Sequence, residues 1–288
     1  VKAGVYLIAR LSPALAGTPV WIWTLTLVGG ATMLLGAVWA LRQTDMKSML
    51  AYTTVSGLGS LVMFLGSNAP VAVVAASTFL IVHAFYKAAL FLIIGIIDKQ
   101  TGTREIDALG GLGRALPVTW AVALLAGFAM AGFPPLLGFI GKELKYEGAL
   151  AVASEPLFVA GVAVLSNALM VAIGLAIAFR PFPGARRAGK AEVHEAPWPM
   201  LAGPLTLAVL GLVFGVVPEA VETHLVQPMA TAILGGPVRV DLKLWHGLNI
   251  PLILSMTTFL LGVLAFWLLP WLRKALAAAE PGLPRMEG

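Results

Sequence analysis

The sequence contains no cysteine and few charged residues, and each shortage excludes a class of protein. Without cysteine, the chain cannot form disulfides, thiolate zinc sites, iron–sulfur clusters or a cysteine nucleophile. Charged residues make up 11% of the 288 residues and hydrophobic residues 59%, and the mean hydropathy is +0.91. A soluble domain carries about 25% charged residues, so this chain has too little polar surface to cover a water-soluble core. The composition therefore predicts an integral membrane protein.

Motifs for enzyme and cofactor chemistry are also missing. The sequence has no glycine-rich phosphate loop, no HExxH and no GxSxG pattern. We therefore expect no catalytic residues, no cofactor and no metal site. The net charge of +5 comes from short basic clusters between apolar segments. We attribute these clusters to the orientation of the chain in the membrane, and we predict no nucleic-acid partner.

Seven long apolar segments follow a short apolar opening. Most approach or exceed the roughly 20 residues that a helix needs to cross a bilayer, and the alternating segments of about 10 residues that form membrane barrels are absent. The opening, residues 1–8, is too short to span, so we interpret it as the end of a helix and the chain as a fragment. The prediction is an all-α polytopic helical bundle. Its long segments are 21–43, 48–66, 70–97, 117–150, 156–180, 199–218 and 247–271.

The basic residues between these segments fall unevenly on the two sides of the membrane. Twelve lie on one side and four on the other, the four being Arg10, Lys145, Arg239 and Lys243. Because cytoplasmic loops carry an excess of Lys and Arg, the loops 98–116 and 181–198 and the C-terminal tail are predicted to be cytoplasmic, in a cell inner (plasma) membrane. On the outer side, 219–246 is predicted to include a helix along the interface.

His83 and Lys87 lie inside the segment 70–97, with His83 near its middle. A lysine at the centre of a membrane helix costs about 2.5–3.5 kcal/mol, so its presence needs a reason. The two side chains are one helical turn apart on one face and can pass a proton through one or two waters. Alternatively, the histidine binds a backbone carbonyl and the lysine extends to the interface.

The segment 117–150 contains Pro134 and Pro135, which remove backbone donors and break the helix. Broken helices frame ion sites in many transporters. The second half carries Lys142 and Glu143, and a buried Lys142 is expected to find a counter-charge in Glu143 or in a carboxylate from another helix. The alternative is a kinked helix whose charged end reaches outer water. A row of buried titratable groups beside a broken helix favours the movement of protons or small cations.

Three motifs, residues 44–56, 83–91 and 131–143, carry a resemblance to a known family. They resemble, in this order, the antiporter-like subunits shared by respiratory complex I and the Mrp-type multisubunit sodium/proton antiporters. Within this family, residues 1–7, 101–106 and 244–252 are most similar to the large A subunits of Mrp antiporters. One departure is Phe79, where some complex I relatives place a second histidine.

The resemblance implies a division of the chain. Residues 1–180 would be the second half of the transmembrane core, the inverted repeat that contains the broken helix. Residues 181–198 would be a cytoplasmic loop, and residues 199–288 additional C-terminal helices and a tail.

The resemblance also implies roles for five residues. Lys2, His83, Lys87 and Lys142 would carry protons along a central axis, with Glu143 as the neighbour of Lys142.

The function implied is that of a component of a proton-motive-force-driven Na+/H+ antiporter. Its partners would be other membrane subunits, the lipid bilayer, protons and Na+. Two alternatives stay open. One is a proton-pumping membrane subunit of NADH:quinone oxidoreductase, and the other is a membrane scaffold whose charges pair between subunits.

Overall fold

The computed structural model describes residues 2–67, 69–152, 155–187 and 192–279. This part of the chain is helical, which confirms the predicted fold class. The tail beyond residue 279, and Lys190 in the predicted loop 181–198, lie outside the described residues.

Twelve α-helices and one π-helical turn make up the described part. Prolines occupy the first helical turn of several of them, where their missing amide hydrogen costs nothing. The elements are α1 (Ala3–Leu15), α2 (Pro19–Arg42), α3 (Met46–Leu65), α4 (Pro70–Thr101), α5 (Pro117–Ala131), α6 (Leu137–Leu150), α7 (Pro156–Phe179), α8 (Trp198–Val216), α9 (Glu219–Val221), the π-helical turn (Glu222–Val226), α10 (Gln227–Leu234), α11 (Ile250–Trp267) and α12 (Leu269–Ala279). Among these described helices, α2, α3, α4, α7, α8 and α11 are long and apolar enough to cross a membrane.

The predicted break lies between α5 and α6. Gly132 ends α5 in the left-handed conformation with φ of 74°, and the amides of Gly132 and Phe133 donate to the carbonyls of Ala129 and Phe128. Pro134 and Pro135 then carry the chain across the gap to α6. This turn leaves the carbonyl end of α5 inside the bundle, beside α6.

Helix α4 lies at the centre of the bundle and packs against α3, α5, α6 and α8. It runs antiparallel to α6, because Gly141 lies against Val82 and Gly148 against Ala75. Small residues allow close approach of helices in membranes, and a Cβ on Gly148 would lie 3.0 Å from Ala75 Cβ. This antiparallel register brings the lysines of α6 opposite the middle of α4.

The predicted loop 181–198 does more than connect two spans. The Glu195 carboxylate accepts hydrogen bonds from the amides of Val118 at 2.7 Å and Thr119 at 3.1 Å. It also accepts one from the Thr119 hydroxyl at 2.6 Å. An acidic group is favourable at a helix N-terminus, where amides are unpaired and the helix dipole is positive. Glu195 therefore caps α5.

A second set of polar contacts joins α12 to the α2–α3 turn. The Arg273 guanidinium donates to the carbonyls of Leu41 at 2.8 Å and Gln43 at 2.6 Å, and pairs with Asp107 at 3.0 Å. Nearby, Asp45 accepts a hydrogen bond from Arg104 and raises the pKa of this arginine. These contacts lie on the side predicted to be cytoplasmic.

Candidate functional site

His83 is buried at the face of α4 that meets α3, with 2% of its surface exposed. Its ring lies against Gly57, where an added Cβ would approach Nε2 to 2.9 Å. Phe79 and Tyr86 flank it, with ring centroids 5.6 and 5.5 Å away. Neither ring nitrogen makes a hydrogen bond within the described part of the chain. The alternative in which His83 hydrogen-bonds to a backbone carbonyl is therefore not found in this structure.

Lys87 is buried one turn further along α4, with 5% of its surface exposed. Its ammonium donates to the Leu50 carbonyl at 3.0 Å and to the Thr53 hydroxyl, both on α3. The side chain thus ends inside the bundle rather than at the membrane surface. The sequence does not predict the contact with Thr53, because a hydroxyl group in a membrane-spanning segment can equally serve the packing of helices.

Lys2 occupies a less enclosed position at the start of α1. It is half-buried, and its ammonium lies 3.4 Å from the Leu80 carbonyl of α4. This contact places Lys2 beside the same helix that carries His83, about one turn before it.

Lys142 of α6 folds back over the break, with 4% of its surface exposed. Its aliphatic chain covers Gly132, where an added Cβ would meet Lys142 Cδ at 2.9 Å. Its ammonium lies 3.2 Å from the ring centroid of Phe259 on α11. Ammonium groups are attracted to aromatic faces at such distances. Phe259 is an apolar residue in an apolar segment, so the sequence carries no signal of this contact.

No carboxylate forms a salt bridge with Lys142 among the described residues, although Glu143 is near enough for the two charges to attract each other. Neither the Lys142 ammonium nor Glu143 Oε1 has a hydrogen-bond partner there. Glu143 is buried, and its charged neighbours are Lys142, His246 and Glu147. The two side chains form no direct ion pair, because consecutive residues on a helix point in different directions. A counter-charge for Lys142 from Glu143 or from a carboxylate on another helix stays a prediction.

Lys145, which the charge distribution predicts to be at the outer surface, is instead buried, with 5% of its surface exposed. Its ammonium donates to Asn167 Oδ1 of α7 at 2.7 Å and lies 4.1 Å from the ring centroid of Phe79. Lys142 and Lys145 are three residues apart and so share a helix face. This spacing in the sequence could have predicted that Lys145 is buried together with Lys142.

Asn167 continues this polar contact to α11. Its amide nitrogen donates to the Tyr146 hydroxyl at 3.2 Å, and the Tyr146 hydroxyl hydrogen-bonds to that of Thr258. Tyr146 and Thr258 are both fully enclosed. Helices α6, α7 and α11 are thus joined by a buried polar chain that ends at the Lys145 ammonium.

A small cavity lies between Lys142 and Lys145 at the end of α5. Its volume is about 20 Å³, and its walls include both lysines, Asn167, Tyr86 and Met130. A cavity needs roughly 10–15 Å³ to hold one water, so this one has room for a single molecule. The carbonyl end of α5 also faces it, and the negative end of a helix dipole favours cations.

Three comparisons with known proteins indicate the family to which this chain belongs. The family model described as NADH:quinone oxidoreductase/Mrp antiporter, transmembrane, matches residues 1–169. The A subunit of the Na(+)/H(+) antiporter of Alkalihalophilus pseudofirmus is 35% identical over 97% of the chain. The A/B subunit of the probable K(+)/H(+) antiporter of Rhizobium meliloti is 38% identical over 99% of it. A chain of the Mrp complex from Dietzia sp. superposes on 99% of the chain with a TM-score of 0.88 and 33% identity.

The chain is shorter than these relatives. It spans 39% of the Alkalihalophilus protein, 29% of the Rhizobium protein and 31% of the Dietzia chain. Several helices of membrane-spanning length lie in the described residues, as expected of a multi-pass membrane protein. Because the family match covers more than half of the sequence, the chain belongs to the transmembrane family of NADH:quinone oxidoreductase and Mrp antiporter subunits.

Proposed function

We propose that this chain carries proton translocation in a monovalent cation/proton antiporter driven by the proton motive force. The observation that supports this most directly is the burial of His83, Lys87 and Lys142 around one broken helix. Buried ionisable residues in membrane helices mark ion and proton pathways because their burial is costly. The chain is then a transporter component and not an enzyme.

The antiparallel register of α4 and α6 supports a similar depth for several of the proton-carrying residues. Gly141 lies against Val82, so Lys142 is opposite residue 81 of α4, within one turn of His83. Lys87 lies one turn, about 6 Å, beyond His83 along α4. Lys2 joins the row through its contact near Leu80. In the proposed path a proton moves along Lys2, His83, Lys87 and Lys142, with Glu143 beside the last lysine.

Coupling to a cation is proposed to act through repulsion between neighbouring charges. Two ammonium groups near each other disfavour simultaneous protonation. A cation that enters near this row therefore favours proton release, and its departure favours proton uptake. The names of the similar antiporters specify Na+ or K+, and we propose Na+ for this chain.

The proposed setting is a cell inner (plasma) membrane with other membrane subunits of a multisubunit complex as partners. Loops 98–116 and 181–198 and the C-terminal tail are proposed to be cytoplasmic. The burial of Lys145 supports this orientation, because it removes one of the four basic residues that counted against it. We also propose that residues 1–180 form the antiporter-like half of the core and that 199–288 are additional C-terminal elements.

A second candidate function is proton pumping in the membrane part of NADH:quinone oxidoreductase. The observation in its favour is that the matching family model includes subunits of both complexes. In that case the chain moves protons without redox chemistry of its own. The third candidate, a scaffold whose charges pair between subunits, is disfavoured by Lys142, whose ammonium lies on an aromatic ring deep inside this chain.

The proposal is tested with the full-length protein and its partner subunits in everted vesicles that lack other antiporters. An independent pump imposes a pH gradient, Na+ is added without NADH, and a pH-sensitive dye is followed. We expect Na+ to collapse the gradient in the wild type and in Lys243→Ala, an exposed control lysine paired with Asp241. Lys142→Ala is expected to abolish the response while the complex still assembles.

Two other outcomes would contradict the antiporter proposal. Proton pumping only during NADH oxidation, with no response to Na+, assigns the chain to the complex I side of the family. Normal transport by every assembled Lys142→Ala complex supports the scaffold instead.

A further inference from the structure

We propose that Lys145 is a proton-exchange site in its own right, the next group after Lys142 toward the C-terminal end of α6. This inference rests on the proposed function, since it extends the same path by one residue. It assigns to Asn167, Tyr146 and Thr258 the role of positioning the Lys145 side chain.

The first support is the distance between the two lysines. Three residues along a helix correspond to a rise of about 4.5 Å on one face. Lys142 and Lys145 both line the cavity of about 20 Å³. A single water there can accept a hydrogen bond from one ammonium and donate one to the other side chain when that side chain is a neutral amine.

The proton transfer through this water balances. The Lys142 ammonium gives a proton to the water, and the water gives one of its own protons to the neutral amine of Lys145. Lys142 is left neutral, Lys145 becomes an ammonium and the water is regenerated. No further reactant is required.

The second support is that the contacts of Lys145 do not fix it in the charged state. Its partners are the neutral Asn167 amide and the face of Phe79, and within the described ranges no carboxylate forms a salt bridge with it. A lysine with a purely structural role is expected to have an acidic partner at this depth, because an unpaired buried charge is costly. Lys145 has instead a neutral acceptor, which holds either protonation state.

The third support is the way in which Asn167 is held. The Asn167 amide nitrogen donates a hydrogen bond to the Tyr146 hydroxyl. This orients the amide so that its oxygen accepts the hydrogen bond from Lys145. Tyr146 is held in turn by Thr258 of α11. The direction of the Lys145 side chain is thereby set by two neighbouring helices, and its ammonium is directed toward the cavity and Phe79.

Phe79 separates Lys145 from His83. The Lys145 ammonium lies 4.1 Å from the centroid of the Phe79 ring, and the His83 ring centroid lies 5.6 Å from it. An aromatic ring does not relay protons, so Lys145 exchanges a proton with Lys142 through the water-sized cavity that both side chains line. Lys145 is also near enough to His83 for the two groups to repel each other when both are protonated.

The test uses two substitutions in the full-length complex. Lys145→Met keeps an unbranched side chain, one atom shorter, and removes the exchangeable proton, whereas Lys145→Arg keeps the charge but does not deprotonate. A positioned proton-transfer group contributes roughly 10²–10⁴-fold to a rate, so we expect both variants to slow proton movement by at least about tenfold. Lys145→His, which can exchange protons, is expected to recover part of the rate. Lys243→Met serves as the exposed control.

The readout separates this inference from the proposed function. The wild type is first measured in the Na+-driven assay and in the NADH-driven assay. Each variant is then compared with the wild type in the assay in which the wild type moves protons. The wild-type response identifies the function, and the ratio of variant to wild type tests Lys145. Assembly is checked by the subunit composition of the purified complex.

Three results would overturn the inference. One is a wild-type rate for Lys145→Met. Another is a wild-type rate for Lys145→Arg, which would indicate that a fixed positive charge suffices. Absence of proton movement by the wild type in both assays would refute the proposed function together with this extension of it.

Discussion

At the scale of single residues, the ammonium of Lys142 lies on the face of an aromatic ring and forms no salt bridge with a carboxylate among the described residues. A desolvated cation on an aromatic face gains about 2 kcal/mol. Phe259 supplies this face from α11. Under the proposed function a moderate stabilisation suits Lys142, because neither the charged nor the neutral state is then strongly preferred.

The closeness of Gly57 to His83 gives a prediction at this scale. Gly57→Ala places a Cβ 2.9 Å from His83 Nε2, so the ring has to move. Alanine raises helix propensity by about 1 kcal/mol relative to glycine, so the helix itself is not weakened. We expect transport to fall several-fold in an assembled complex. Gly95→Ala, on α4 with open space around it, is the control and is expected to behave as the wild type.

Individual residues also differ in how well the sequence predicts them. His83 and Lys87 follow from helical spacing inside one apolar segment, so their shared burial needed no knowledge of other helices. The burial of Lys145 was not predicted, because assigning a charged residue to one side of the membrane from its distance to the end of a segment ignores how the helices pack. Phe259 was missed because nothing distinguishes a phenylalanine that faces lysine from one that faces lipid. Contacts between helices were thus the part that the sequence could not supply.

At the scale of elements, the two halves of the broken helix depend on different supports. Helix α5 is capped at its N-terminus by Glu195, whereas α6 is held through Tyr146 and Lys145. The proline pair predicts the break itself, since proline cannot continue a helix. Neither support was predicted, because both partners are distant in the sequence.

The cap on α5 leads to a prediction of stability. Glu195→Ala removes three hydrogen bonds to the first turn of α5. Loss of a helix N-cap costs about 0.5–2 kcal/mol, so the purified complex is expected to unfold at a lower temperature. Glu192→Ala, an exposed glutamate in the same loop, is the control. Equal melting temperatures for the two variants would show that the cap contributes nothing measurable.

The packing of α11 leads to a further prediction. Gly262 lies against α7, where an added Cβ would overlap the Val171 side chain and come within 2.8 Å of the Ala168 carbonyl oxygen. Gly262→Val therefore pushes α11 away and separates Phe259 from Lys142. We expect the rate of proton movement to fall by about tenfold or more, given what one positioned group contributes. Gly161→Val on α7, at an exposed position where nothing lies within 4 Å of an added Cβ, is expected to leave the rate unchanged.

At the scale of the whole molecule, the polar contacts join parts of the chain that are far apart in sequence. Arg273 of α12 binds the carbonyls of Leu41 and Gln43 at the end of α2. Thr258 of α11 hydrogen-bonds to Tyr146 and so belongs to the buried polar contacts that position Lys145. Both α11 and α12 lie beyond residue 169, where the family match ends, yet they contribute directly to these contacts. The candidate site is therefore a property of the assembled bundle and not of the matched segment alone.

The narrow space between Lys142 and Lys145 sets a size limit on what passes there. A volume of about 20 Å³ has room for one water, so the space does not hold a sodium ion together with several waters of its hydration shell. Under the proposed function, a proton crosses this point through the single water, from one lysine nitrogen to the next, and a hydrated metal cation does not. Under the proposed antiport, the sodium ion and the proton therefore travel by separate routes, and the two flows influence each other only through the electric field between them.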